Sequence, residues 1–345
     1  MTVKKMNRSL LENPSGTVPS GQPVPDSYVR QLAERVSATC EGVSEAEAAA
    51  LSSASDEPLY DGAAMITRSC ASRKFDTCSI INGKSGRCPE DCKWCAQSAH
   101  YHSHIAEYPL VSTARLVEAA ALSRSHGIGR FSIVTSGRRL KPDEVSALCS
   151  SVREVAAKTG MKLCLSAGLL DEEDLKAFRE AGISRYHCNL EASPSCFGDY
   201  CTTHTQSEKV STLEAARNAG MEICSGGIIG MGETIIQRIG LAFALRSLGV
   251  KSVPVNILSP IPGTPLENVP LLPEKEILRT IAIFRFILPD AALRFAGGRA
   301  RLSDKTTLEA YRIGINASIM GDMLTTAGAD IGKDMARIHS AGYIL

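Results

Sequence analysis

The chain has no excess of charge: 38 Lys and Arg against 37 Asp and Glu leave a net charge of +1. Proteins that neutralise a phosphate backbone present a basic surface, so this balance sets nucleic acid aside as a partner. Long apolar runs are missing too. No stretch reaches the roughly 18 residues a membrane helix needs, and residues 1–28 lack the apolar core of a secretory signal. These absences point to the cytoplasm and away from membranes. The chain is also not a small disulfide scaffold, because its twelve cysteines are spread over 345 residues while disulfide-held secreted domains are usually short. A reducing compartment fits better. What remains is a globular composition, 44% hydrophobic and 22% charged, long enough for one large barrel or two ordinary domains.

Among the twelve cysteines, three fall within eight residues, in Cys88-Pro-Glu-Asp-Cys92-Lys-Trp94-Cys95. Thiolates are soft, strongly donating ligands, and a turning loop of this spacing suits an iron-sulfur cube. Three thiolates leave the fourth iron of a [4Fe-4S] cluster without a protein ligand, which suits chemistry on a bound small molecule. The spacing, with an aromatic Trp94 before the last cysteine, resembles that of radical S-adenosylmethionine enzymes. A structural zinc site is the competing reading, but zinc favours C-x2-C pairs and a fourth ligand in register.

Residues 1–28 mix Pro14, Pro19, Pro23 and Pro25 with Ser and Gly and read as a loose arm. A helical extension follows over 29–77, with a break at Gly42 and a further helix over Pro58–Ser69. From residue 78 to 345, short β-branched or apolar runs alternate with helical stretches. Strands are expected at Cys78–Asn82, Arg130–Thr135, Lys162–Ala167, Arg185–Glu191, Glu222–Ile228, Ser252–Leu258, Ala292–Ala296 and Ala317–Met320. Gly127, Gly160, Gly182, Gly220 and Gly249 each close a helix before the next strand. Strand then helix, repeated, implies an α/β fold of the (β/α)8 TIM-barrel type; a partial barrel of six units is the alternative. Barrel enzymes place their sites at the C-terminal ends of the strands, and the loop carrying Cys88 follows the first strand.

Alternation along the strands turns Ser132, Val134, Cys164, Ser166, His187, Asn189, Glu191, Cys224, Gly226, Asn256 and Arg294 into the lumen. Thiols, an arginine, asparagines and a glutamate in one lumen are costly to bury without partners. Something polar or metallic should fill it. Cys164 and Cys224, beside Arg294, read as ligands; Cys40, Cys149, Cys188, Cys196 and Cys201 read as ordinary small residues. Asn189 and Asn256 have the alternative of satisfying the lumen's own backbone groups. His100, His102 and His104 read as a solvated rim loop.

From about Cys78 to about Gly328 the chain resembles the biotin synthase family. The resemblance rests on Ser85-Gly-Arg-Cys88-Pro-Glu-Asp-Cys92-Lys-Trp-Cys95-Ala-Gln-Ser98, Tyr186-His-Cys-Asn189-Leu-Glu191 and Cys224-Ser-Gly-Gly-Ile-Ile-Gly-Met-Gly-Glu233. Val253-Pro-Val-Asn256, Gly263-Thr-Pro265-Leu and Leu293-Arg294-Phe-Ala-Gly-Gly298-Arg extend it. It implies a homodimeric barrel that inserts sulfur into dethiobiotin, with S-adenosylmethionine on the open iron and electrons from reduced flavodoxin or ferredoxin. It further implies that Asn189 and Glu191 hold the ribose, that Lys209 stands near the nucleoside where arginine is frequent, that Trp94 belongs to the cofactor site, and that Asn189 and Asn256 contact substrate.

The resemblance also implies an auxiliary cluster deeper in the lumen, commonly [2Fe-2S] on three cysteines and an arginine. Cys164, Cys224 and Arg294 match that pattern; the remaining cysteine position is Ser132, and a hydroxyl is a poor replacement for a thiolate on iron. Cys70 and Cys78 are therefore expected to join Cys164 and Cys224 around a differently built auxiliary cluster, with a four-iron group as one form. Rival readings are a hydrogenase-maturase-like or methylornithine-synthase-like barrel enzyme, or an iron-sulfur protein without catalysis.

Overall fold

The structure, a computed structural model, describes residues 24–321, 324 and 330–345. Most of the expected arm over 1–28, and Gly328, lie outside these residues. Asp26, Ser27 and Tyr28 do not belong to an arm: they open the helix Asp26–Thr39. Its Val29, Leu32, Ala33 and Val36 form one buried stripe, packed against the helix Asp56–Cys70. That helix lies in turn on the helices Glu274–Ile287 and Asp304–Ile313.

One sheet holds every strand, all pairs parallel: β1 Asp76–Lys84, β2 Arg130–Thr135, β3 Lys162–Ser166, β4 Ile183–His187, β5 Glu222–Cys224, β6 Gly227–Ile229, β7 Ser252–Ile257, β8 Ala292–Phe295 and β9 Ile315–Ile319. The order β5-β4-β3-β2-β1-β9-β8-β7-β6 becomes a ring because β5 also pairs with β7. Two short strands, β5 and β6, share one position, so the barrel has the eight positions read from the alternation and not six. The split falls where the wall is tightest. A Cβ on Gly226 would meet the Pro254 carbonyl oxygen at 1.9 Å, so only glycine lets the two backbones approach, and the ladder is interrupted there.

Local chemistry explains why the helices start and stop where they do. Ser112, Asp171, Thr205, Thr234 and Ser303 each accept from the backbone N–H three residues on, capping the helices that begin at Thr113, Glu172, Gln206, Ile235 and Asp304. The five glycines expected to end helices all have positive φ. Outward side chains of the strands, Phe131, Ile133, Leu163 and Leu165, are at most 1% exposed; burying each contributes about 1.5–3 kcal/mol. Alternation then leaves the opposite faces for the lumen. Strand β4 differs from the expected Arg185–Glu191: it starts at Ile183, directly after Gly182, and ends at His187. Asn189 and Glu191 lie beyond it, on the rim. A C-terminal helix, Ile331–Ser340, was not expected; it docks through buried Ile338 and through buried Asp334, which pairs with Arg299.

Arg285, fully buried on Glu274–Ile287, donates to the carbonyls of Leu288, Pro289, Ala291 and Gly314. These carbonyls lie just before β8 and β9, so one guanidinium sets where both strands enter the barrel. Replacing it by leucine is expected to lower the unfolding free energy by about 3–5 kcal/mol, because the carbonyls stay buried without donors. The measurement is the urea midpoint, and a loss of under about 1 kcal/mol would mean that water takes over the arginine's bonds.

Candidate active site

The loop after β1 is turned by its own backbone. Cys88 N–H donates to the Gln97 carbonyl at 3.0 Å, Ala99 N–H to the Cys88 carbonyl at 2.8 Å, and Cys95 N–H to the Cys92 carbonyl at 3.0 Å. Gln97 Oε1 accepts from Gly86 N–H at 2.6 Å and Ser85 Oγ at 3.1 Å, pinning the loop to the end of β1. A second fastening reaches the segment 200–204: Thr202 and Thr203 N–H donate to Asp91 Oδ1 at 2.9 and 3.2 Å, and Lys93 N–H to the Tyr200 carbonyl at 3.0 Å. Cys88, Cys92, Cys95 and Trp94 are thereby turned toward one cavity of 420 Å³, which continues down the lumen. Burial pushes the Cys95 thiol to about 11 and raises that of Cys88. Converging buried thiols of this kind give up their protons to a metal far more readily than to water. The donor set fits an iron-sulfur cluster.

At the floor of the same cavity lie Cys78, Cys164, Cys224 and Arg294. The register brings them together: Ser132 is level with Cys164, and His187 with Cys224. Burial pushes the Cys78 thiol to about 11 and raises Cys164 as well, while Cys224 goes down despite equal burial, because the His187 imidazole, Arg294 and Arg185 all favour its thiolate. Ser132 stands level with Cys164 on the neighbouring strand and lines the same cavity. Three thiols with cationic neighbours fit a second soft-metal group.

Cys70 is a correction. It ends the helix Asp56–Cys70 outside the barrel and is bonded to Cys40. The helix axis leads it toward the Asp26–Thr39 helix, where its sulfur lies against the Val36 carbonyl, so it cannot reach the lumen that Cys78 enters. Cys40, read as an ordinary small residue, is its partner.

Below the thiols the strand starts are closed by charge. Arg130 and Arg185 pair with Glu222 at 3.2 and 2.8 Å, Arg185 with Asp76 at 3.2 Å, and Arg294 with Asp76 at 2.6 Å. Arg130 and Arg185 were not singled out from the sequence, although Arg185 shares the inward parity of His187. Toward the mouth, Asn189, Glu191, Lys209 and Asn256 line the cavity. Asn189 Oδ1 accepts from Gly226 N–H at 3.0 Å, and Asn256 bridges the Gly227 carbonyl at 3.2 Å and Gly297 N–H at 2.9 Å. Both asparagines thus bind the rim's backbone, and each amide keeps a further donor and acceptor for a bound molecule. Glu191 stands at φ 70°, and burial raises its carboxyl against the opposing pull of Lys209 and His187. Cys201 and His204 were also missed. The Cys201 sulfur, read as an ordinary core atom, is 3.7 Å from that of Cys92.

Residues 84–244 match the Radical SAM superfamily, and residues 254–344 match the Biotin and Thiamin Synthesis associated domain. A biotin synthase of Porphyromonas gingivalis is 54% identical over 292 residues, covering 85% of this chain and 88% of that protein. One of Parabacteroides distasonis is 47% identical over 304 residues, covering 88% and 93%. Among solved structures, methylornithine synthase superposes with a TM-score of 0.77 at 18% identity, covering 90% of this chain and 96% of that one. The FeFe-hydrogenase maturase of Carboxydothermus hydrogenoformans gives 0.77 at 15%, covering 92% and 79%. The two rival enzymes therefore share the barrel, whereas half of the residues are shared with biotin synthases. The chain is a radical SAM enzyme, and it belongs to the biotin synthase family.

Proposed function

We propose that the chain inserts sulfur into dethiobiotin inside this barrel. The observation that carries the reading is a single cavity with thiols at both ends, Cys88, Cys92 and Cys95 at the mouth and Cys78, Cys164 and Cys224 at the floor. When bound, a [4Fe-4S] cluster with S-adenosylmethionine supplies a reductively generated 5′-deoxyadenosyl radical, and an auxiliary cluster supplies sulfur. In this reading the helices from Asp26 to Cys70 are an extension, and the catalytic barrel begins with β1 at Asp76.

The chain's own residues bind, orient and exclude water. Glu191 and Asn189 hold the ribose hydroxyls, Trp94 and Lys209 flank the cofactor, and Asn189 and Asn256 orient the substrate from the rim. Hydrophobic packing outside the strands keeps the lumen rigid and dry, so that a reactive carbon-centred species meets only the intended C–H bond. Cys78, Cys164, Cys224 and Arg294 hold the auxiliary group, with Ser132 level with Cys164 on the neighbouring strand. An electron reaches the mouth from reduced flavodoxin or ferredoxin, and the enzyme works as a cytoplasmic homodimer. No helix among the described residues is long and apolar enough to cross a membrane.

The test is anaerobic turnover of dethiobiotin with S-adenosylmethionine and reduced flavodoxin, scored for biotin and 5′-deoxyadenosine. Formation of 5′-deoxyadenosine with no biotin, from protein holding both clusters, would remove dethiobiotin as the substrate. The role of Cys78 is tested separately by Cys78→Ala. Iron and sulfide per chain are expected to fall to the content of the mouth cluster alone; unchanged content would place Cys78 outside the auxiliary ligand set.

A further inference from the structure

One group of metal-binding side chains crosses the boundary of the cluster motif. Among the described residues, Cys92, Cys201 and His204 are the trio whose ligating atoms all lie within 4.8 Å of one another. Cys88 and Cys95 stay outside it. Cys92 comes from the loop after β1, while Cys201 and His204 come from the segment that follows the helical turn Phe197–Asp199. A Cys-x2-His pair thus joins a cysteine that lies 109 residues earlier. Cys201 and His204 are 3% and 7% exposed, and Cys92 opens onto the cavity.

The spacing is that of ligands on one ion. Two thiolates at about 2.3 Å from a tetrahedral zinc stand about 3.8 Å apart, and a thiolate and an imidazole nitrogen about 3.6 Å. The Cys92 and Cys201 sulfurs are 3.7 Å apart, and His204 Nε2 is 3.7 Å from the Cys201 sulfur. Thiolates on different irons of a cube point away from one another from separate corners, so sulfurs this close do not fit two irons of the mouth cluster. His204 is oriented as a ligand. Its Nδ1, 3.3 Å from the Cys201 sulfur, bonds Glu90 Oε2 at 2.5 Å. That leaves Nε2 for a metal, in the carboxylate–histidine pairing that fixes ligand rings in metal sites. Phe197 packs edge-on against the ring, centroids 5.7 Å apart. Asp91 Oδ1 faces the Cys201 sulfur at 3.3 Å and also takes the N–H of Thr202 and Thr203, which holds the segment in place.

We propose that Cys92, Cys201 and His204 bind a single zinc ion when the mouth cluster is absent, with water from the cavity in the fourth position. The metal replaces the hydrogens of the two thiols, two protons pass to solvent, and no electron moves. One Cys92 sulfur cannot anchor a zinc and an iron of the cube together, so the two occupants exclude each other. Zinc outranks ferrous iron for donors of this kind, and a chain that meets zinc first is barred from cluster loading until the zinc leaves. The zinc site stands on the geometry of the trio; the exclusion rests on the reading of Cys92 as a cluster ligand.

The experiment takes the full-length, cluster-free chain, reduced and kept anaerobic, through loading with zinc chloride, desalting and a zinc count. Wild type is expected to retain one zinc more per chain than Cys201→Ala or His204→Gln, whatever the lumen thiols hold. Equal counts in the three proteins would overturn the proposal. Cobalt(II) in place of zinc gives a second readout. The difference spectrum of wild type minus variant is expected to show thiolate-to-metal charge transfer with tetrahedral d–d bands, and a difference without thiolate bands would remove the sulfurs from the site. Each protein is then given ferrous iron and sulfide with and without prior zinc. Zinc is expected to slow formation of the mouth cluster about tenfold more in wild type than in Cys201→Ala, because the variant holds the ion more weakly. Cluster formed without zinc in Cys201→Ala shows that this variant is folded. A wild type that builds the cube at full rate while keeping its zinc would overturn the exclusion. If zinc-free wild type built no cluster that S-adenosylmethionine perturbs, the reading of the mouth would fail, while the zinc counts would still decide the site.

Discussion

Alanine at Cys88, Cys92 or Cys95 is expected to abolish both biotin and 5′-deoxyadenosine formation while leaving the barrel folded. Each thiol sits on the loop that follows β1, outside the strand ladder, so its removal breaks no barrel hydrogen bond. The loop itself stays fastened through Gln97, Asp91 and Lys93. With two thiolates left, a four-iron cube has lost one of three protein anchors, and no step that draws on it can proceed. The expected fall in turnover is on the order of 10³-fold or more, since nothing else in the site can generate the radical. Iron analysis, the visible charge-transfer band and a thermal melt check the prediction together. A Cys92→Ala protein that kept its cluster and turned over would end the assignment of this loop.

The second large effect is selective. Cys224→Ala is expected to stop biotin formation, by on the order of 10²-fold or more, while 5′-deoxyadenosine is still produced. The reason is location. Cys224 lies at the floor of the cavity beside Ser252, with their side-chain atoms 3.2 Å apart, and level with His187. The thiols of the mouth loop are at the opposite end of the lumen. In the proposed reading, cleavage of S-adenosylmethionine draws only on the mouth and delivery of sulfur on the floor. Replacement also strips His187, Arg294 and Arg185 of the thiolate they favour. If both products vanished together, the two ends would be one functional unit and the division drawn above would fail.

Periodicity in the sequence carried much of this arrangement. Alternation alone put Cys164, Cys224 and Arg294 on the inner face, because Leu163, Leu165, Leu293 and Phe295 must turn toward the helices. Boundaries were harder. Strand β4 begins right after Gly182, and the rim residues Asn189 and Glu191 keep the strand's parity after its ladder has ended, so nothing in the residue types marks the change. Contacts between distant segments left no local trace at all. Cys40 and Cys70 are separated by 30 residues, and Cys92 meets Cys201 only because Glu90 and Asp91 bind the segment around Thr203. A serine in place of a lumen thiol, Ser132, was visible at once; its register opposite Cys164 follows from the pairing of β2 with β3.

The charged floor has a kinetic consequence. Asp76, Glu222 and the three arginines lay a network of ion pairs across the strand starts, which leaves the mouth between the strand-to-helix loops as the natural entrance. In the proposed reading dethiobiotin and S-adenosylmethionine would share that entrance, so the order in which they bind and leave would be set by which of them sits nearer the floor.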